Sequence, residues 1–156
     1  MLRILTAARI AGAVVVLAAT FLLGFWLTSP AFPVGQKFVA VSLNGEPLIS
    51  TRPFVKVPTL EVWRVPVIPP PRHVQAGSLC ARVIGHCNWS DGQLTLIPPN
   101  FLMWDTAYNT AVVCAEWELE ARFFAALRGT NRWRIENGAL ILYNGRDTLR
   151  FLLAPA

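Results

Sequence analysis

Residues 131–153 read NRWRIENGALILYNGRDTLRFLL. From Asn131 to Glu136 the stretch alternates: Trp133 and Ile135 fall on one face, Arg132 and Arg134 on the other. Asn137-Gly138 follows, and Asn-Gly is the pair that best supplies the two positive-φ residues of a tight hairpin turn. Ala139 to Tyr143 is then a second strand. Asn144-Gly145 offers a second turn, into Asp147 to Leu153. The segment therefore predicts a three-stranded antiparallel meander with one polar face. Its apolar face needs a cover.

The residues just upstream provide that cover. Glu116 to Arg128 (EWELEARFFAALR) places Leu119, Phe123, Ala126 and Leu127 on one helical face, at i, i+4, i+7 and i+8. Glu116, Glu118 and Glu120 crowd the first turns, and Arg122 and Arg128 come later. This order complements the helix dipole. Gly129 fits the position just beyond a helix end.

Working further back, Lys37 to Leu43 reads as a strand, Asn44-Gly45 as a hairpin turn, and Glu46 to Ile49 as the return. Pro53, Pro58, Pro66 and the run Pro69-Pro70-Pro71 interrupt residues 53–75. Leu60 to Val65 fits between them as a short strand, and the proline run reads as a stiff polyproline II loop. Residues 79–84 and 93–97 read as strands around an Asp91-Gly92 turn. Residues 98–110 read as irregular, with Phe101, Trp104 and Tyr108 among them. The fold expected is mostly β (α+β): an antiparallel sheet or partly open barrel of about seven to eight strands, packed with one α-helix. One N-terminal transmembrane helix would precede it.

That last element rests on Ile10 to Leu27 (IAGAVVVLAATFLLGFWL), an uncharged run long enough, at about 27 Å, to approach the ~30 Å hydrocarbon core. Arg3 and Arg9 precede the run, and the next basic residue is Lys37. The positive-inside rule then keeps the N-terminus in the cytoplasm and sends the remainder across the membrane. A cleaved signal peptide competes, since Ser29-Pro30-Ala31 offers small residues. However, signal cores are usually ~7–15 residues, and Pro30 and Pro33 disfavour cleavage. The expected organisation is an anchor over 1–31, a linker over 32–36 and one domain over 37–156. The expected location is a bacterial inner membrane, single-pass, with the domain in the periplasm, or free there after cleavage.

Of 156 residues, 54% are hydrophobic and only 15% charged, which excludes a disordered chain. The net charge is +5, without a run of adjacent Lys or Arg, so nucleic acid is not an expected partner. Cys80, Cys87 and Cys114 imply one disulfide and one leftover thiol in an oxidising compartment, with the pairing open on the residues alone. His86-Cys87 beside Cys80 lacks zinc-ligand spacing, and His73 is distant, so no metal site is assigned. Gly-x-Ser-x-Gly and glycine-rich phosphate loops are both missing from the sequence. No catalytic residue, cofactor or enzymatic activity is assigned. Trp89, Trp104, Tyr108, Trp117 and Trp133 are the aromatic candidates for a ligand pocket, and Arg132, Arg134 and Arg150 for contact with anionic headgroups. The binding surface nominated is Trp104, Tyr108, Arg132, Arg134 and Arg150.

The order of these elements resembles the META domain family, which includes the heat-shock protein HslJ. Phe38 to Leu48 is similar to the family's opening strand and turn. Gly77 to Gly85, containing Cys80, resembles its Gly-Cys-Asn-Arg stretch, which ends in a Gly five residues after the Cys. Asp91 to Leu96 resembles the strand that follows, Val113-Cys114 the end of the next segment, and Glu118 to Leu127 the family's helix. Ala81 departs from the family's Asn, and Asn109 to Val112 departs from its Ser-Thr-Arg. The resemblance implies a Cys80–Cys114 disulfide, with Cys87 left over or as the alternative partner of Cys114. It implies a non-enzymatic envelope or stress-tolerance role, with an unknown envelope protein as partner. The alternatives are an accessory subunit of a membrane complex and a lipid- or small-molecule-binding β domain.

Overall fold

A computed structural model describes residues 31–48, 56–65 and 78–155. The apolar run at Ile10–Leu27, the proline run at 69–71 and His73 lie outside the described residues. Among the described residues, no helix is long and apolar enough to cross a membrane.

The described elements are β1 (Gln36–Leu43), β2 (Glu46–Pro47), β3 (Thr59–Arg64), β4 (Leu79–Ile84), β5 (Trp89–Ile97), β6 (Phe101–Asn109), α1 (Trp117–Gly129), β7 (Arg132–Glu136), β8 (Ala139–Tyr143) and β9 (Thr148–Leu153). The strands run antiparallel in the order β2-β1-β3-β4-β5-β6-β7-β8-β9, and β1 also pairs with β9. Eight strands therefore close into a barrel, with β2 a two-residue flap on β1. The sheet is closed rather than partly open because Phe38 to Leu43 lies along Leu153 to Leu149. The narrowest join is between β6 and β7, where only Phe101 and Arg132 pair as ladder residues. Leu102 N–H to the Asn131 carbonyl (3.0 Å) and Trp133 N–H to the Asn100 carbonyl (2.9 Å) hold that join.

The interior follows from strand alternation. Phe38, Leu60, Val62, Val83, Leu140, Leu149 and Phe151 are all essentially inaccessible. Phe32 and Val34, read as linker, pack with this core, and the Phe32 ring meets Trp133 edge-on at 5.0 Å between centroids. Outside the barrel, Ile141 is buried opposite Arg134 and Arg150, whose aliphatic stems suit them to flank an apolar side chain.

In an antiparallel barrel, alternate connections share one end. Here the β1–β2 turn, the β4–β5 turn, the β6–α1–β7 crossover and the β8–β9 loop all lie at the same end. Helix α1 spans this end and sends Phe123, Phe124, Ala126 and Leu127 into the core, with Phe123 6.5 Å from the Phe151 ring.

Several expectations need correction. The turn between β4 and β5 is at residues 85–88, and Asp91-Gly92 lies inside β5 at a bulge against β6. Asp91 faces Arg82 across the β4–β5 pair and takes both guanidinium hydrogen bonds (2.8 and 2.7 Å), which keeps it in the strand. Residues 101–109 form β6 rather than an irregular segment; Leu102 is buried and Met103 exposed, a period of two hidden by the aromatic residues around it. Asn44-Gly45 and Asn137-Gly138 do form the positive-φ turns expected of them. Asn144-Gly145 instead opens a four-residue loop, where the Asn144 Oδ1 accepts from the N–H groups of Arg146 and Asp147, both at 2.6 Å. Gly129 is the last helical residue, and Thr130 ends the helix by turning extended, with its Oγ1 donating to the Leu127 carbonyl at 2.7 Å.

Candidate functional site

Helix α1 carries one carboxylate at a position its apolar stripe would assign to a hydrophobe. Glu120 lies three, four and seven residues before Phe123, Phe124 and Leu127, so it faces inward with them and is only 4% exposed. A buried carboxylate must find donors or be neutralised. Glu120 finds them in the β4–β5 turn. One oxygen, Oε1, accepts from the backbone N–H groups of Cys87 and Asn88, both at 2.8 Å. The other, Oε2, accepts from Asn88 Nδ2 at 2.6 Å. Among the described residues, no Lys or Arg forms a salt bridge with it.

Asn88 extends the network to the segment ahead of the helix. Its Oδ1 accepts from the Val112 N–H (2.6 Å) and its Nδ2 donates to the Val112 carbonyl (2.8 Å), so the side-chain amide pairs with Val112 as a neighbouring strand would. Thr110 Oγ1 donates to the same Oδ1 at 3.0 Å and accepts from Trp89 N–H at 3.0 Å. Gly85 makes room for the carboxylate: a Cβ there would meet Glu120 Oε1 and would lie 2.8 Å from Phe124 Cε2.

A disulfide closes this corner by joining Cys87 to Cys114, with Cα atoms 6.4 Å apart. The favoured Cys80–Cys114 pairing is therefore corrected to the alternative. Cys80 sits in mid-strand, opposite Trp63 and Gln93, while Cys87 lies in the turn that meets the start of α1. Cys80 remains a buried thiol. Burial, then the nearby charge of Asp91, pushes that thiol above its ordinary value. Glu120 Oε2 approaches the disulfide closely, 2.9 Å from Cys87 Sγ and 3.9 Å from Cys114 Sγ. His86 points elsewhere: its Nδ1 donates to the Lys56 carbonyl at 2.8 Å, and its buried Nε2 has no partner among the described residues.

Beside this corner, α1 and residues 109–113 bound a groove of about 310 Å³, with Asn88 and Glu120 in its lining. Its rim is apolar and open: Val112 is 60%, Val113 87% and Trp117 56% exposed.

Of the nominated surface, Trp104, Arg132, Arg134 and Arg150 do not line this groove. Trp104 packs inward against the core. Arg132 lies over the Phe101 ring at 4.4 Å, and Arg134 over Tyr143 at 4.9 Å with its Nε donating to Glu136 at 2.8 Å. That hydrogen bond to Glu136 raises the affinity of Arg134 for its proton. Arg134 and Arg150 do share a face, since both oppose Ile141. Tyr108 lies in β6.

Residues 34–156 match the META domain. The chain belongs to the META domain family. Among solved structures, the META fold seen here is similar to the one titled "NMR structure of the protein from Burkholderia xenovorans", with a TM-score of 0.58 and 17% identity over 79% of this chain and 84% of that one. No curated protein matches the chain. Sequence reasoning overlooked Glu120 and Asn88. In the sequence Glu120 is one of three dipole-complementing acids, although its phase with Phe123, Phe124 and Leu127 marks it as inward-facing.

Proposed function

We propose that this META domain is a non-catalytic envelope module, tethered by its N-terminal apolar run, that holds an apolar stretch of a partner protein in the groove beside the disulfide. The observation carrying this reading is the rim of Val112, Val113 and Trp117, large apolar side chains left in solvent on a firmly held frame. The Cys87–Cys114 bond, the Asn88–Val112 pairing and the Glu120 hydrogen bonds fix that frame on both sides. Preorganisation of this kind reduces the ordering penalty on binding. Family membership favours an envelope-related or binding role. A disulfide suits an oxidising compartment, which agrees with the positive-inside reading of Arg3 and Arg9. The filled barrel interior favours an outside surface over an internal ligand cavity.

The test is site-specific photocrosslinking in native membranes, with a photoreactive residue at position 113 of the full chain and a control at position 146. A discrete protein adduct at 113 that Trp117→Ala removes is the expected result. Equal labelling at both positions, or a C-terminal reporter active in the cytosol, overturns the proposal.

A further inference from the structure

The Glu120 carboxylate has an unusual neighbour. Its Oε2 faces both sulfurs of a disulfide, and the three atoms lie within 4.8 Å of one another. While the bond is intact, neither sulfur has a charge or a proton to offer. Once it is reduced, the same corner holds two thiols and one carboxylate, arriving from three separately anchored places: the β4–β5 turn, the residue run before α1, and the first turn of α1.

We propose that reduction of Cys87–Cys114 converts this corner into a thiolate–thiolate–carboxylate site for one Zn²⁺ ion. A dithiol reductant transfers two electrons to the disulfide, giving two thiols and the oxidised reductant. Zn²⁺ then takes a lone pair from each sulfur and from Oε2, and two thiol protons leave to solvent. Tetrahedral Zn²⁺ with Zn–S ~2.3 Å and Zn–O ~2.1 Å wants S···O separations of roughly 3.5 Å and an S···S separation of roughly 3.7 Å. The present S···O distances of 2.9 and 3.9 Å bracket that value, so the main adjustment is parting the two sulfurs.

The surrounding hydrogen bonds fit a metal-bound carboxylate. Oε1 is occupied by the Cys87 and Asn88 N–H groups, which orients Oε2 towards the sulfurs. Asn88 Nδ2 donates to Oε2 and lies 3.5 Å from Cys87 Sγ, so it can steady a thiolate there. The groove that Asn88 and Glu120 line opens to solvent, giving the ion a way in and water a place as fourth ligand. This site shares its groove and its cysteines with the partner-binding reading above but needs no bound partner, so the metal titration and the photocrosslinking fail separately.

The experiment uses the full chain in detergent, reduced with a non-thiol phosphine and titrated with Co²⁺ and then Zn²⁺. The reduced protein is expected to bind one Co²⁺ with a thiolate-to-metal charge-transfer band that Zn²⁺ abolishes, while the oxidised protein gives none. Glu120→Gln, which keeps an acceptor for the two N–H groups, should weaken Zn²⁺ binding at least tenfold. Asn88→Ala should weaken it about 10–100-fold. Because reduction or substitution can loosen the fold, the melting temperature of the reduced protein with and without Zn²⁺ is read alongside. A rise with metal supports the site. No charge-transfer band together with no rise overturns it, as does equal affinity in Cys87→Ser.

Discussion

Replacing Glu120 by Leu removes the acceptor at the centre of the helix-to-turn junction, and the structure sets the size of the effect. The Asn88 N–H loses its partner in a buried place, and the Cys87 N–H in a half-buried one. Asn88 Nδ2 keeps the Val112 carbonyl, so its loss is partial. A buried donor left unsatisfied costs ~1–3 kcal/mol, and a leucine of nearly equal volume recovers ~1 kcal/mol of apolar burial. The net destabilisation expected is about 3 kcal/mol, or a fall in melting temperature of roughly 12 °C for a domain this size. Glu120→Gln should cost less, about 1–2 kcal/mol, because one carbonyl oxygen still serves both backbone donors while its NH₂ opposes Asn88 Nδ2. The assay is urea unfolding followed by tryptophan fluorescence with the disulfide intact. A double-mutant cycle with Asn88→Ala should show a coupling above about 1 kcal/mol. If Leu costs less than about 1 kcal/mol, or Gln costs as much as Leu, the carboxylate does not organise this junction.

Reducing the disulfide, which spans a sequence separation of 27, should lower stability by about 3.5 kcal/mol in the chain-entropy view, read as a shift in the urea midpoint between oxidised and reduced protein without metal. Gly85→Ala drives a methyl group against Glu120 Oε1 and Phe124 Cε2 and should cost about 2–3 kcal/mol; an unchanged melting temperature would show that α1 moves freely to accommodate it. The Cys80 thiol, raised by burial above its ordinary value of 9.0, favours the neutral form in the folded state. Its stabilisation is therefore complete below pH ~9 and declines as pH rises through the folded value, so alkylation at pH 8 should label Cys80 only after denaturant is added, and rapid labelling of native protein would refute the burial.

The meander from β7 to β9 was legible because alternation and Asn137-Gly138 are local signals, and α1 because its stripe is regular. What the sequence hid was mostly long-range. Closure depends on Phe38 meeting Leu153, a pairing across nearly the whole domain that no window of residues displays. The β4–β5 ladder runs unbroken from Leu79↔Leu94 to Ile84↔Trp89, with Arg82 meeting Asp91 inside it, so an apparent turn signal lies in mid-strand. The disulfide followed from that turn: with strand β4 ending at Ile84, Cys80 is held in the sheet and Cys87 is free to meet Cys114. The candidate site was least legible, since a carboxylate inside an apolar stripe looks like any other helix acid until its turn partner is known.

The slender β6–β7 join means that the barrel is zipped almost everywhere and merely clasped at one place. Were the clasp to part, two strand edges would offer bare N–H and carbonyl rows to neighbouring molecules, the template on which sheets grow from chain to chain. Arg132 stands at that clasp, laid over Phe101. A charged side chain posted there makes an intruding strand from another molecule a poor fit, so the least-bonded line of the barrel also carries its own guard against aggregation.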